Sequence, residues 1–114
     1  MSKYDFQLAT EMLVTWKNSF DDYLKSNAAL NPKHLIAADT AIGQIITKIH
    51  EENNTDSNIK NLNFQYLKMI QIANDIHHLK SINDETLPDW LEDELETVFL
   101  KIKDLLASLE KTLN

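Results

Sequence analysis

Residues 86–113 read TLPDWLEDELETVFLKIKDLLASLEKTL. Leu91, Leu95, Val98, Ile102, Leu105 and Leu109 recur there at steps of four and three, which is one face of an α-helix and close to a heptad seam. Thr86 followed by Asp89 is a capping-box-like start, and Pro88 falls in the first turn, where a missing N–H costs nothing. A helix with one apolar stripe needs other helices to cover it, and three more stripes lie upstream.

Ser2 with Asp5 opens the first helix, about residues 3–25, whose apolar face is Leu8, Met12, Trp16, Phe20, Tyr23 and Leu24. Asn31 is a good N-cap and Pro32 suits the first helical position, so the second helix is expected over about 32–51. Its stripe is Leu35, Ala38, Ile42, Ile45, Ile46 and Ile49. Residues 51–58 are rich in Asn, Asp, Ser and Thr, which bond locally and break helices. The third helix, about 57–80, aligns Ile59, Leu62, Tyr66, Met69, Ala73 and Ile76. With Phe64, Leu67, Ile70 and Ile72 it is apolar nearly all round and is expected to be the most enclosed. The fourth spans about 87–112, with Phe99, Leu106 and Leu113 at the edge of its stripe. The β-branched residues recur at helical spacing, so no strand is expected. Short loops favour antiparallel neighbours. The fold predicted is all-α, an antiparallel up-down four-helix bundle forming a single domain over residues 1–114.

Composition narrows the chemistry. The 114 residues include no cysteine, one glycine (Gly43) and eleven basic residues, all lysine. Thiolate metal sites, disulfides and glycine-rich phosphate loops are therefore absent. An acidic chain without arginine is poorly suited to phosphate backbones, so no direct nucleic-acid binding is expected. No signal-peptide pattern or run of about 18 apolar residues is seen, which points to a cytoplasmic location without membrane insertion.

The four histidines show no convincing catalytic or metal set. His77-His78-Leu79-Lys80-Ser81 resembles the H-x-L-K-G core of histidine phosphotransfer domains, which implies phosphorylation on His77 and support from Lys80. It departs from that pattern in having Ile82-Asn83-Asp84-Glu85 where small residues and a continuing helix belong. Asp75-x-x-His78 occurs once, whereas a bundle di-metal site uses two such pairs plus inward glutamates. His50-Glu51-Glu52 and His34 have no partner at ligand spacing. Trp16, Phe20 and Tyr23 read as core. Neither enzyme activity, nor a metal, nor a cofactor is expected.

The charge is what remains. Of 18 acidic residues, seven fall between Asp84 and Glu96 with no lysine among them, while the other eleven balance the eleven lysines, so this segment holds the whole net charge of −7. On a wheel of about 100° per residue, Asp89, Glu92, Asp93 and Glu96 share the face opposite the apolar stripe, with Trp90 on the flank. Helix-start preference accounts for only part of this, and like charges four apart cost a few tenths of a kcal/mol each. The predicted partner-binding residues are Asp84, Glu85, Asp89, Trp90, Glu92, Asp93 and Glu96, and the predicted partner is a protein with a basic surface.

Two stretches are similar to a family of small four-helix bacterial immunity proteins that neutralise NAD-degrading toxins delivered by type VI secretion. One is Leu35-Ile36-Ala37-Ala38-Asp39-Thr40-Ala41-Ile42-Gly43-Gln44-Ile45-Ile46. The other runs from Leu67 through Ile72-Ala73-Asn74-Asp75-Ile76 to Asn83-Asp84-Glu85-Thr86-Leu87-Pro88-Asp89-Trp90-Leu91, and together they cover about half the chain. The fourth helix is longer than that family needs. The resemblance implies a stoichiometric inhibitor whose partner is a toxin catalytic domain, blocked by occlusion. Two other expectations are compatible with the residues: a phage-encoded acidic inhibitor of a defence nuclease, or a phosphotransfer module using His77. Self-association would use the Leu95-to-Leu109 seam and give a homodimer.

Overall fold

The computed structural model describes residues 4–26, 29–82 and 88–113, with Leu113 described by its backbone alone. Four helices, α1 (Phe6–Ser26), α2 (Ala41–Glu52), α3 (Ser57–Ile82) and α4 (Asp89–Leu113), form an antiparallel up-down bundle, with no strand among the described residues. Each helix packs against its two chain neighbours around the ring, α4 closing onto α1, and α3 packs most extensively against α4. No helix is long and apolar enough to cross a membrane among the described residues.

Helix starts follow local chemistry. Asp5 accepts from the Leu8 N–H at 2.9 Å, so it caps α1 itself; Ser2 lies outside the described residues. Asp56 caps α3 by accepting from the N–H groups of Asn58 (2.9 Å) and Ile59 (3.2 Å). Thr40 caps α2 by accepting from the Gly43 N–H at 2.8 Å. Each of these bonds satisfies a donor that the first helical turn leaves open. The start of α4 shows the Leu91 N–H bonded to the Pro88 carbonyl at 3.1 Å, while Thr86 lies outside the described residues.

Three expectations need correction. The second helix does not begin at Pro32: residues Pro32–Leu35 and Ala37–Asp39 form two 3-10 turns, and α2 starts at Ala41. Asn31 does cap, but the turn it caps is 3-10, its side chain accepting from the Lys33 N–H at 3.0 Å. The buried stripe of α1 is displaced by one residue in its first half, Ala9 and Leu13 standing in for Leu8 and Met12, while Trp16 and Phe20 are buried as expected. It runs Phe6, Ala9, Leu13, Trp16, Phe20, with Leu8 exposed and Met12 only half-buried, because α1 must face both α2 and α4. Finally, α3 is not enclosed all round. Ile70 and Ile72 are buried, but Phe64 is 62% and Leu67 48% exposed, since α2, α4 and the first 3-10 turn cover only part of the α3 surface.

The seam of α4 packs inward as its spacing predicts, and Phe99 and Leu106 join it in the core. That packing buries Leu95, Val98, Ile102 and Leu109 inside the bundle and leaves Leu105 half-buried.

Candidate functional site at the start of α4

Asp89, Glu92, Asp93 and Glu96 are all exposed, as is Trp90 at 62%. Asp84 and Glu85 lie outside the described residues. The indole of Trp90 makes no hydrogen bond or ring contact among the described residues. A large aromatic left in water at a helix start is worth noting in a chain whose other tryptophan, Trp16, is 4% exposed.

The acids do not form one uncompensated face. Glu96 reaches across to α1 and pairs with Lys17 at 2.9 Å, and Lys17 also pairs with Asp21 at 2.8 Å. Glu94 pairs with Lys68 of α3 at 3.7 Å. This leaves Asp89, Glu92 and Asp93 without an ion pair among the described residues. A groove of about 340 Å³ between α1 and α4 has Glu92, Asp93 and Glu96 on one wall and Asp21 with Lys17 and Lys25 on the other. Asp21 thus belongs to the acidic corner, although the sequence places it 68 residues or more from its described members. The available signal was Lys17 itself, a lysine set between the apolar positions Leu13, Trp16 and Phe20.

Lys17 is 7% exposed, and its ammonium lies 5.5 Å from the centre of the Phe99 ring. Burial pulls its pKa down, but the hydrogen bonds and charges of Asp21 and Glu96 overcome that and hold it above the usual lysine value. Tyr66 is likewise raised, by burial first, with its bond to Thr40 acting in the opposite direction. Both groups therefore favour the protonated form more in the fold than in the free chain. Their contribution is fully present below about pH 10 and is lost as pH rises through their folded-state values. The urea midpoint should stay level into mild alkali and then fall. A Lys17→Met/Tyr66→Phe double variant should fall less steeply, and an identical alkaline limb in the two proteins would contradict this account.

The histidines are placed apart from this corner. His77 is exposed, its ring 5.9 Å from that of Tyr23 and tilted by 33°, and the Lys80 ammonium sits 4.8 Å from the centre of the same Tyr23 ring. The helix carrying them continues to Ile82. His78 is exposed, His50 is half-buried near the end of α2, and His34 lies in the first 3-10 turn. No group of three or more metal-ligating side chains comes together among the described residues. Trp16 and Phe20 stack at 5.3 Å within 4° of parallel, inside the core.

A second cleft, of about 260 Å³, lies between α1 and the 3-10 turns. Met12, Trp16 and Ile42 supply apolar lining, and Lys33, His34 and Asp39 polar lining. Comparison with known proteins adds no relative. No family model, curated protein or solved structure matches this chain. What the corner can do follows from its chemistry alone: three carboxylates without an ion pair among the described residues create a negative field, and an exposed indole supplies apolar area beside it.

Proposed function

We propose that this bundle is a non-catalytic protein-binding inhibitor that docks the start of α4 onto a basic surface of another protein. The observation that carries this reading is the exposed Trp90 indole beside Asp89, Glu92 and Asp93, on the first turns of α4. Tryptophan is favoured as an interface anchor because it buries much area with few rotatable bonds, and the carboxylates around it steer and select a basic partner. The similarity to immunity proteins supplies the partner's class: a toxin catalytic domain whose electropositive substrate pocket is occluded. Glu96 plays a supporting part, since it is already committed to Lys17.

The test uses the partner recovered with the wild-type chain from its native cell. An Asp89→Lys/Glu92→Lys/Asp93→Lys variant keeps the Lys17 pairs intact, so its far-UV circular dichroism should be unchanged. Its affinity should fall at least tenfold at about 150 mM salt, and the wild-type affinity should itself weaken as salt rises. Trp90→Ser should leave stability within about 0.5 kcal/mol, because the ring buries little, and should also weaken binding. Unchanged affinity in both variants would overturn the proposal.

A further inference from the structure

Residues 32–39 carry the sequence pattern of one conformation and adopt another. The spacing of Leu35, Ala38, Ile42, Ile46 and Ile49 behind Asn31 and Pro32 suits one continuous helix to Glu52, about as long as the 21 residues of α1. The structure instead bends the chain at Ile36 (φ −112°, ψ 112°) and Thr40 (φ −79°, ψ 149°), with 3-10 turns on either side of Ile36. Three side-chain donors hold this form. Trp16 Nε1 donates to the His34 carbonyl at 2.9 Å, Asn74 Nδ2 to the Leu35 carbonyl at 2.9 Å, and Tyr66 Oη to the Ala37 carbonyl at 2.6 Å. In a continuous helix those same carbonyls would accept from backbone N–H groups four residues on. Three side-chain bonds thus stand in for three helical ones.

A latch closes the arrangement. Tyr66 gives its only hydroxyl proton to Ala37, so the 2.6 Å contact between Thr40 Oγ1 and Tyr66 Oη has Thr40 as donor. Thr40 at the same time caps α2 through the Gly43 N–H. We propose that residues 32–39 are a two-state strap: clipped to α1 and α3 as seen, or rewound as the first two turns of a longer α2. The 3-10 turns are already close to α geometry, so the change is concentrated in the dihedrals of Ile36 and Thr40. Rewinding would withdraw Lys33, His34 and Asp39 from the lining of the 260 Å³ cleft and free the Trp16 indole N–H. A ligand that binds one form of the cleft or strap more tightly than the other would then shift the balance between them.

Backbone chemical shifts decide it. In the wild-type chain, Ile36 and Thr40 should show extended-backbone Cα shifts. A Thr40→Ala/Tyr66→Phe variant removes both the cap and the latch. Its shifts at positions 36 and 40 should move to helical values, with slowed amide exchange running unbroken into α2. Unchanged shifts, or coil-like shifts with fast exchange, would overturn the proposal. If that variant does not fold, saturation-transfer measurements on the wild-type chain decide instead. A minor state with helical shifts at Ile36 supports the strap, and a coil-like minor state or none at all refutes it.

Discussion

Gly43→Ala is expected to destabilise the bundle by about 3 kcal/mol and to lower its melting temperature by roughly 10 °C or more. The expectation runs against helix propensity, which favours alanine over glycine by about 1 kcal/mol in a helix interior. Packing reverses the sign. A Cβ at position 43 would collide with the Ala37 carbonyl oxygen and the Tyr66 hydroxyl, and would sit 2.6 Å from Thr40 Oγ1. None of these is the loose end of a flexible side chain. The Ala37 oxygen is backbone, and both hydroxyls are fixed by the hydrogen bonds that hold α2's first turn to α3. Relief requires moving the 3-10 turns away from Tyr66, leaving the buried Tyr66 hydroxyl without its acceptor. An unpaired buried polar group costs about 1 to 3 kcal/mol in addition to the overpacking. A melting temperature equal to or above that of the wild type would show that the strap gives way freely.

The same glycine shows what was legible in the sequence. A four-helix reading needed only the spacing of apolar residues, and α3 and α4 came out where Ile59, Tyr66, Leu95 and Ile102 put them, because period 3.6 is a local property. The failures lie where the deciding partner is distant. Residues 32–39 have a good N-cap and good spacing, yet Trp16, Asn74 and Tyr66 take their carbonyls from two other helices. On α1, a one-residue displacement between Met12 and Leu13 depends on where α4 docks, which spacing alone does not state. The candidate site was legible in part for the same reason. Exposure of Trp90 and the carboxylates near it follows from the helical wheel of one segment. The removal of Glu96 and Glu94 into ion pairs depends on Lys17 and Lys68, which arrive from α1 and α3.

Lys17 carries the second large prediction. Lys17→Glu should destabilise the fold by about 4 kcal/mol, because it sets a third carboxylate where Asp21 and Glu96 already converge and leaves it largely out of water. Lys17→Met should stay within about 1 kcal/mol of the wild type. The methionine keeps most of the stem packed near Phe99, while Asp21 and Glu96 have side chains 33% and 52% exposed and can rehydrate once the ammonium is gone. Urea unfolding of the two variants measures both effects, and a Lys17→Met loss comparable to that of Lys17→Glu would mean the ion pairs themselves stabilise the bundle. The pair of variants also separates architecture from recognition. Lys17 draws Glu96 onto α1 and cancels charge in the acidic groove, so it opposes the field that the proposed basic partner would meet. Lys17→Met frees Glu96 and Asp21 at little cost to the fold and should therefore tighten partner binding, most visibly at low salt. Weaker binding would instead place Lys17 among the groups that the partner touches, and would move the docking surface from the tip of α4 into the groove between α4 and α1.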